Sequence, residues 1–161
     1  MALGITSKKS NIKRSLDKYV YDNLDVDGEG LNIDYEGVPF ESTGKAEWIQ
    51  YRPMFVPGDF MRQGSSTEYA NDSSLLANFN VFVQKSGVTV SDKHYKVRDW
   101  VANYFKIGQS IGIYDYVSGA TTATSYMTVR EVETDTVVPN DSFYQYNFTV
   151  VIGWTEMVPN P

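Results

Sequence analysis

Acidic residues between Asp25 and Glu36 have the spacing of a calcium-binding loop. Positions 1, 3, 5, 6 and 12 of an EF-hand loop would be filled by Asp25, Asp27, Glu29, Gly30 and Glu36. Two departures count against a metal site. Asn32 stands where an apolar residue is usual, and Pro39 prevents the helix that should follow the loop. We therefore predict an acidic turn without a metal ion, and no other cofactor.

The segment Gly108–Gly112 fits the G-x-S-x-G pattern of a hydrolase nucleophile elbow. That turn must lead from a strand into a helix, whereas here a helix pattern precedes it and a strand pattern follows. The single histidine, His94, comes before the serine, opposite to the chain order of that fold, and is predicted on the surface near a helix start. No P-loop or dinucleotide-binding glycine motif occurs. The sequence therefore predicts no enzyme and no catalytic residues.

The composition predicts a folded protein with a single domain over residues 1–161. Hydrophobic residues make up 42% of the chain, which is enough for one sizeable core at this length. The absence of cysteine excludes disulfides and thiolate metal sites. The first residues lack the apolar core of a signal peptide, and no apolar run could span a bilayer. These features predict a soluble protein that is made in the cytoplasm and does not bind membranes.

Charge is distributed unevenly along the chain. Residues 1–18 carry a net charge of +4, so the rest of the chain carries −10 to give the overall −6. An acidic body argues against sequence-specific binding of nucleic acid, whose affinity comes largely from neutralising phosphates. We predict that residues 1–9 form a flexible basic arm and that this region contacts an acidic partner through Lys8, Lys9, Lys13 and Arg14. The alternative is an ordinary solvated terminus.

The segment Phe143–Trp154 is predicted as the strand around which the fold is organised. Its large apolar side chains fall on every second residue, so one face of the strand is buried. Helices must cover that face, and apolar stripes predict them from about Ser10 to Leu24 and from Asp92 to about Ile107. Further strands are predicted at Leu31–Tyr35, Val38–Phe40, Ala46–Val56, Asn78–Gln84, Ile111–Val117 and Ser125–Thr134. The predicted class is α+β, a single mostly antiparallel twisted sheet with two principal helices on one face.

Residues 57–74 are predicted to form a long mobile loop. Pro57–Ser74 has no steady period and is rich in Gly, Ser, Asp and Asn, and it is longer than most connections within a compact domain. Its apolar residues lie among polar ones, which suits a segment that becomes ordered on a partner. The predicted interaction residues in this loop are Asp59, Phe60, Met61, Arg62 and Tyr69.

The order of these elements resembles the tail terminator (tail completion) proteins of long-tailed bacteriophages. The similar segments are a leading helix IKRSLDKYVYDNL, an early hairpin LNIDYEGVPF, a strand EWIQYRPMF with a tryptophan near its start, a long polar loop before FNVFV, a second helix HYKVRDWVANYF and a closing strand YNFTVVIGW. The resemblance covers nearly the whole chain. It is a similarity of pattern and length, without a diagnostic motif.

The resemblance implies a structural virion protein of a siphophage. Such proteins form a hexameric ring on the head-proximal end of the tail tube, stop its growth and provide the surface that joins the head. The implied partners are further copies of the chain, the tail tube protein and a head completion or neck protein. The family has no catalytic residues. An acidic body also suits a ring through which DNA must pass, because like charges disfavour adhesion.

Three other functions stay open on the sequence. A neck or head-tail adaptor is a related role in the same particle. A tail tube subunit would polymerise without end, whereas a terminator stops at a ring. A small α+β ligand-binding domain would need a ligand-sized apolar cavity in the monomer.

Overall fold

A computed structural model describes residues 4–25, 30–57, 63–64, 68–86, 92–133, 136–138 and 141–159. Its helices are α1 (Lys9–Leu24) and α2 (Lys93–Tyr104), and a 3-10 turn at Ile5–Ser7 precedes α1. Its strands are β1 (Ile33–Tyr35), β2 (Glu47–Val56), β3 (Gln63–Gly64), β4 (Glu68–Gln84), β5 (Ser110–Ile113), β6 (Ser125–Val132), β7 (Thr136–Val138) and β8 (Phe143–Pro159).

The strands form one sheet in the order β1-β2-β4-β8-β6-β5, with β3 paired to β4 and β7 paired to β8. Strand β1 pairs in parallel with β2, and the other described pairings are antiparallel. Both helices pack on the same face. The predicted class, an α+β fold with a mostly antiparallel twisted sheet and two helices on one face, is confirmed.

Strand β8 lies at the centre of this sheet, as its alternation predicts. It pairs along its whole length with β4, from Phe143 opposite Gln84 to Pro159 opposite Glu68. Of the six side chains on its predicted inward face, Tyr144 is partly buried and the other five are buried: Tyr146, Phe148, Val150, Ile152 and Trp154. The alternation follows from the pleat, which turns successive side chains to opposite faces.

The core lies between β8, its neighbours and the two helices. Phe148 faces its cross-strand partner Phe79, and the two rings are 6.3 Å apart. Phe79 in turn contacts Tyr51 and Phe105, with ring centroids 5.2 and 5.0 Å away. The helices add six buried residues to the same cluster: Ile12, Leu16, Val20, Leu24, Val97 and Val101. Since the inward residues of all the long strands share this cluster, helix packing and sheet pairing stabilise each other.

Two predicted elements are wrong, and one strand was not predicted. The early hairpin does not form, because β1 pairs in parallel with β2 and the chain then turns at Gly37, where the Val38 amide donates to the Tyr35 carbonyl at 3.2 Å. Pro39 has no amide to continue a ladder after that turn. The segment predicted as a loop over Pro57–Ser74 contains β3 and the first part of β4. Strand β7, which the sequence did not predict, pairs with β8 on the edge opposite β4.

His94 was predicted on the surface and is instead buried, with 5% of its area exposed. It lies near the start of α2, and its ring stacks on Tyr144 with centroids 4.5 Å apart. Its Nδ1 has no hydrogen-bond partner among the described residues. Burial lowers the pKa of His94, because the charged imidazolium is poorly solvated there.

We expect the buried His94 to make the fold less stable in mild acid. The unfolded chain binds a proton near pH 6.5, whereas the folded chain binds it only at lower pH, so stability is present above pH ~6.5 and is lost as pH falls below it. The chain has one histidine, so no other side chain normally titrates in this window. Thermal unfolding between pH 7.5 and 5.5 should show the decline, and His94→Phe should flatten it. If thermal stability falls equally with pH in both proteins, His94 is not the group that causes the decline.

Gly153 on β8 leaves room for an ion pair that crosses three strands. The Arg130 guanidinium on β6 lies over Gly153 and binds the carboxylate of Asp72 on β4, with its Nη1 2.7 Å from Oδ2. A Cβ at Gly153 would fall 1.8 Å from the Arg130 Nε. The hydrogen bond from Arg130 lowers the pKa of Asp72.

We expect Gly153→Ala to uncouple Arg130 from Asp72. Both side chains are more than a third exposed, so water screens the pair and its coupling energy should be only about 0.5 kcal/mol. A double-mutant cycle with Asp72→Asn and Arg130→Gln should give that energy in the natural chain and none in Gly153→Ala. Because the pKa of Asp72 is depressed by folding, the coupling should be present above pH ~4 and lost below it. If the coupling energy between Arg130 and Asp72 is the same in Gly153→Ala, the guanidinium reaches Asp72 without lying over residue 153.

Candidate interaction surfaces

Helix α1 ends where the acidic segment begins. The Gly30 amide donates to the Asp25 carbonyl at 3.0 Å and the Leu31 amide to the Leu24 carbonyl at 2.9 Å, and Gly30 has a φ of 72°. These bonds hold Gly30 and Leu31 against the C-terminal end of α1, and the positive φ is one that glycine adopts readily. Asp27 and Glu29 lie outside the described residues. Glu36 is 3.9 Å from the Lys13 ammonium. The described residues contain no cluster of three side chains suited to a metal ion.

The N-terminal segment packs on β8. Trp154 Nε1 donates to the Thr6 carbonyl at 3.1 Å, and the Met157 amide donates to Thr6 Oγ1 at 3.0 Å. The Ser7 hydroxyl donates to the Met157 carbonyl. The side chains of Thr6 and Ser7 thus occupy the backbone groups of β8 that a neighbouring strand would otherwise pair with. The prediction of a flexible arm is therefore wrong for Gly4–Lys9, and residues 1–3 lie outside the described part.

The four basic residues predicted to bind a partner differ in their contacts. Lys8 lies 3.8 Å from Asp115, and Lys13 lies 2.7 Å from Asp17, so both are paired within the chain. The Lys9 ammonium lies 5.3 Å from the Phe55 ring centroid, and the Arg14 guanidinium lies 4.2 Å from that of Tyr116. Within the described part of the chain, Lys9 and Arg14 have no carboxylate partner.

Strands β4 and β8 continue past their flanking strands as a two-stranded extension. Strand β2 stops at Val56 opposite Ser74, and β6 starts its pairing with β8 at Thr128 opposite Gly153. Beyond these points β4 and β8 still pair over Glu68–Ser73 and Trp154–Pro159, which we call the distal ribbon. Strand β3 pairs with it at Tyr69 and Ala70. Of the predicted loop residues, Tyr69 lies in this ribbon, and Asp59, Phe60, Met61 and Arg62 lie outside the described residues.

The sheet face opposite the helices carries alternating apolar and amide side chains. Trp48 and Phe82 stack at 5.0 Å, and Phe143 meets Trp48 edge-on at 5.0 Å. Beside these rings, the side-chain amide of Asn80 on β4 donates to the side-chain oxygen of Gln50 on the neighbouring strand β2 at 3.1 Å. This face is thus organised by cross-strand pairs, each worth a fraction of a kcal/mol.

An open cleft lies beside α1, between the two edges of the sheet. Helix α1 reaches both edges, because Lys13 lies near Glu36 after β1 and Ser15 Oγ accepts a hydrogen bond from the Tyr114 amide after β5 at 3.0 Å. The cleft has a volume of about 460 Å³, and it is lined by Arg14, Asp17, Lys18, Tyr21, Asp22, Tyr35 and Tyr116. We call it the α1 cleft. Tyrosine and arginine are the residues that most often dominate binding energy at interfaces.

Two hydroxyl groups in the α1 cleft are buried and accept or donate no hydrogen bond within the part of the chain that the structure describes. They belong to Tyr35 and Tyr116. Burial, and then the nearby Asp25 carboxylate, raise the pKa of Tyr35 above its usual range, so its phenol stays protonated. Sequence reasoning singled out Arg14 but missed both tyrosines, and the only sign of them was the abundance of tyrosine, 12 in the chain.

Comparison with known proteins gives a likeness of fold. No family model matches the sequence, and no curated protein matches it. One solved structure aligns with a TM-score of 0.58 over 95% of this chain and 99% of that chain, at 10% sequence identity. At that identity the likeness shows the fold alone. Neither described helix is long and apolar enough to cross a membrane.

Proposed function

We propose that this chain is a tail terminator of a long-tailed bacteriophage. It assembles as a hexameric ring at the head-proximal end of the tail tube, ends tube growth and provides the surface for head joining. Its partners are further copies of itself, the tube protein and a head completion or neck protein. Its location is the virion tail after synthesis in the host cytoplasm. It carries out no chemistry.

The distal ribbon is the observation that supports this proposal most. The segment whose composition predicts contact with a partner contains β3 and the start of β4, which hold Tyr69 on a paired strand beyond the core. Strand-paired residues are positioned more precisely than loop residues, which suits a contact that must repeat identically around a ring. In our proposal this ribbon meets the tail tube.

The alternative of a small-ligand domain has less support. Ligand sites are mostly apolar and enclosed. The α1 cleft is open and lined by charged and phenolic side chains, and a second cleft beside the N-terminal segment measures only about 100 Å³. A neck adaptor or a tube subunit would use the same distal ribbon and α1 cleft. The way the protein assembles distinguishes these two functions from that of a terminator.

The decisive experiment is electron microscopy of the purified protein mixed with tail tubes that lack a cap. A terminator should appear as one ring at a single end of each tube and should stop further elongation by added tube protein. Open-ended filaments of this protein alone would indicate a tube subunit. Binding to head connectors and not to tubes would indicate a neck adaptor, and no binding to any of these would refute the proposal.

A further inference from the structure

Arg14 is an exposed cation with an incomplete set of partners. Its guanidinium carbon lies over the Tyr116 ring, 4.2 Å from the centroid, a contact that holds the group in place but leaves its N–H donors available. No carboxylate of the described residues pairs with it, although Lys8, Lys13 and Lys18 nearby all have one. An oriented guanidinium is suited to grip a planar anionic group with two hydrogen bonds.

The α1 cleft adds a further donor next to this guanidinium. The Tyr116 hydroxyl lines the same cleft and has no hydrogen-bond partner among the described residues, whereas the Tyr35 hydroxyl already faces the Asp25 carboxylate. A buried polar group without a partner costs free energy, and an incoming acceptor would remove that cost. The matching ligand is therefore a carboxylate, bound by Arg14 with help from a tyrosine hydroxyl.

This chain itself carries the complementary groups. Glu131 and Glu133 are exposed at the end of β6, where a bulge shifts the pairing with β8. Neither carboxylate has a basic partner among the described residues, whereas most other exposed carboxylates do, as Asp22, Glu36, Asp92 and Asp99 illustrate. The two glutamates lie two residues apart. Within the described part of the chain, no other two exposed carboxylates without a basic partner are so close in sequence.

We propose that the α1 cleft of one copy binds the Glu131–Glu133 corner of the next copy. The two patches differ, so the contact is head-to-tail, the kind that closes into a ring when the rotation per subunit allows it. This inference rests on the proposed ring and assigns the residues of its subunit contact. Opposite charges favour this contact at Arg14, because the cleft carboxylates of Asp17 and Asp22 are already paired with Lys13 and Lys18.

Charge reversal tests the contact. Arg14→Glu should raise the dissociation constant for self-association by more than about tenfold, because like charges then face each other. Glu131→Arg combined with Glu133→Arg should do the same. Combining Arg14→Glu with both arginines should restore association to within about threefold of the natural chain, since only the pairing is restored. The matched control is Lys106→Glu, which makes the same charge change at an exposed lysine outside the cleft.

Sedimentation velocity over a range of protein and salt concentrations measures self-association, and microscopy of tube ends measures rings in the same samples. The proposal predicts loss with either single-sided reversal, rescue in the combined variant and no effect of Lys106→Glu. Normal association of Arg14→Glu, or no rescue, would overturn the cleft assignment while leaving tube capping intact. If the natural chain self-associates with this residue dependence but never caps tubes, the terminator function fails and the contact stands. A natural chain that stays monomeric in solution and on tubes overturns both.

Discussion

Phe148→Ala should destabilise the protein by about 3–5 kcal/mol, the usual cost of removing a large aromatic side chain from a packed core. Phe148 is 1% exposed on the central strand and contacts Phe79 across the sheet. The Arg98 guanidinium of α2 lies 5.7 Å from its ring centroid. Loss of the ring therefore leaves a cavity where β4, β8 and α2 meet, and little can move to fill it.

Urea unfolding followed by circular dichroism gives this free energy, provided that the m-value is unchanged. Thr149→Ala is the matched control, because Thr149 is the next residue on β8 and faces the opposite side of the sheet. Its loss should stay within about 1 kcal/mol. A loss below about 1 kcal/mol for Phe148→Ala would mean that β8 does not organise the core.

The parts of the fold that the sequence predicts well are those with a strict period. The alternation along β8 and the apolar stripes of α1 and α2 each depend on local geometry, so single residues such as Val97 and Ile152 could be assigned to the core without knowledge of their neighbours. The α+β class followed from these three segments.

The parts that the sequence did not predict depend on contacts between distant segments. The N-terminal turn is fixed by two hydrogen bonds with β8, about 150 residues away: Thr6 accepts from the Met157 amide, and Ser7 donates to the Met157 carbonyl. The first part of β4 is rich in Asn, Asp and Ser, which usually favour loops. It is a strand because the complementary edge of β8 pairs with it. Tertiary pairing overrides local propensity in both cases.

The candidate binding residues show the same contrast between what local sequence predicts and what depends on distant contacts. Charge along the chain pointed to Arg14, but it could not distinguish Arg14 from Lys8 and Lys13, whose partners Asp115 and Asp17 are visible only in the structure. The burial of His94 likewise depends on Tyr144, which lies on a strand fifty residues later. A sequence period identifies a face, whereas a binding site depends on which groups on that face are already paired.

The largest functional effect is expected at the distal ribbon. Tyr69 and Val158 are cross-strand partners on one side of this ribbon, and neither packs against the hydrophobic core. If the ribbon meets the tail tube, replacing both with serine should remove most of the apolar contact there. Two such truncations at the centre of an interface typically cost more than about 1 kcal/mol each, so capping of tubes should fall at least about tenfold.

Point substitutions are the sharper probe, because a deletion across this segment would also remove β3 and the start of β4. The Tm of the double variant should stay within a few degrees of the natural chain, since few core contacts are lost. Tyr126→Ser is the matched control, a tyrosine on β6 that is 59% exposed outside the ribbon. Capping is scored as the fraction of tube ends that carry a ring at fixed protein concentration. If the double variant caps tubes as well as Tyr126→Ser does, the ribbon does not contact the tube.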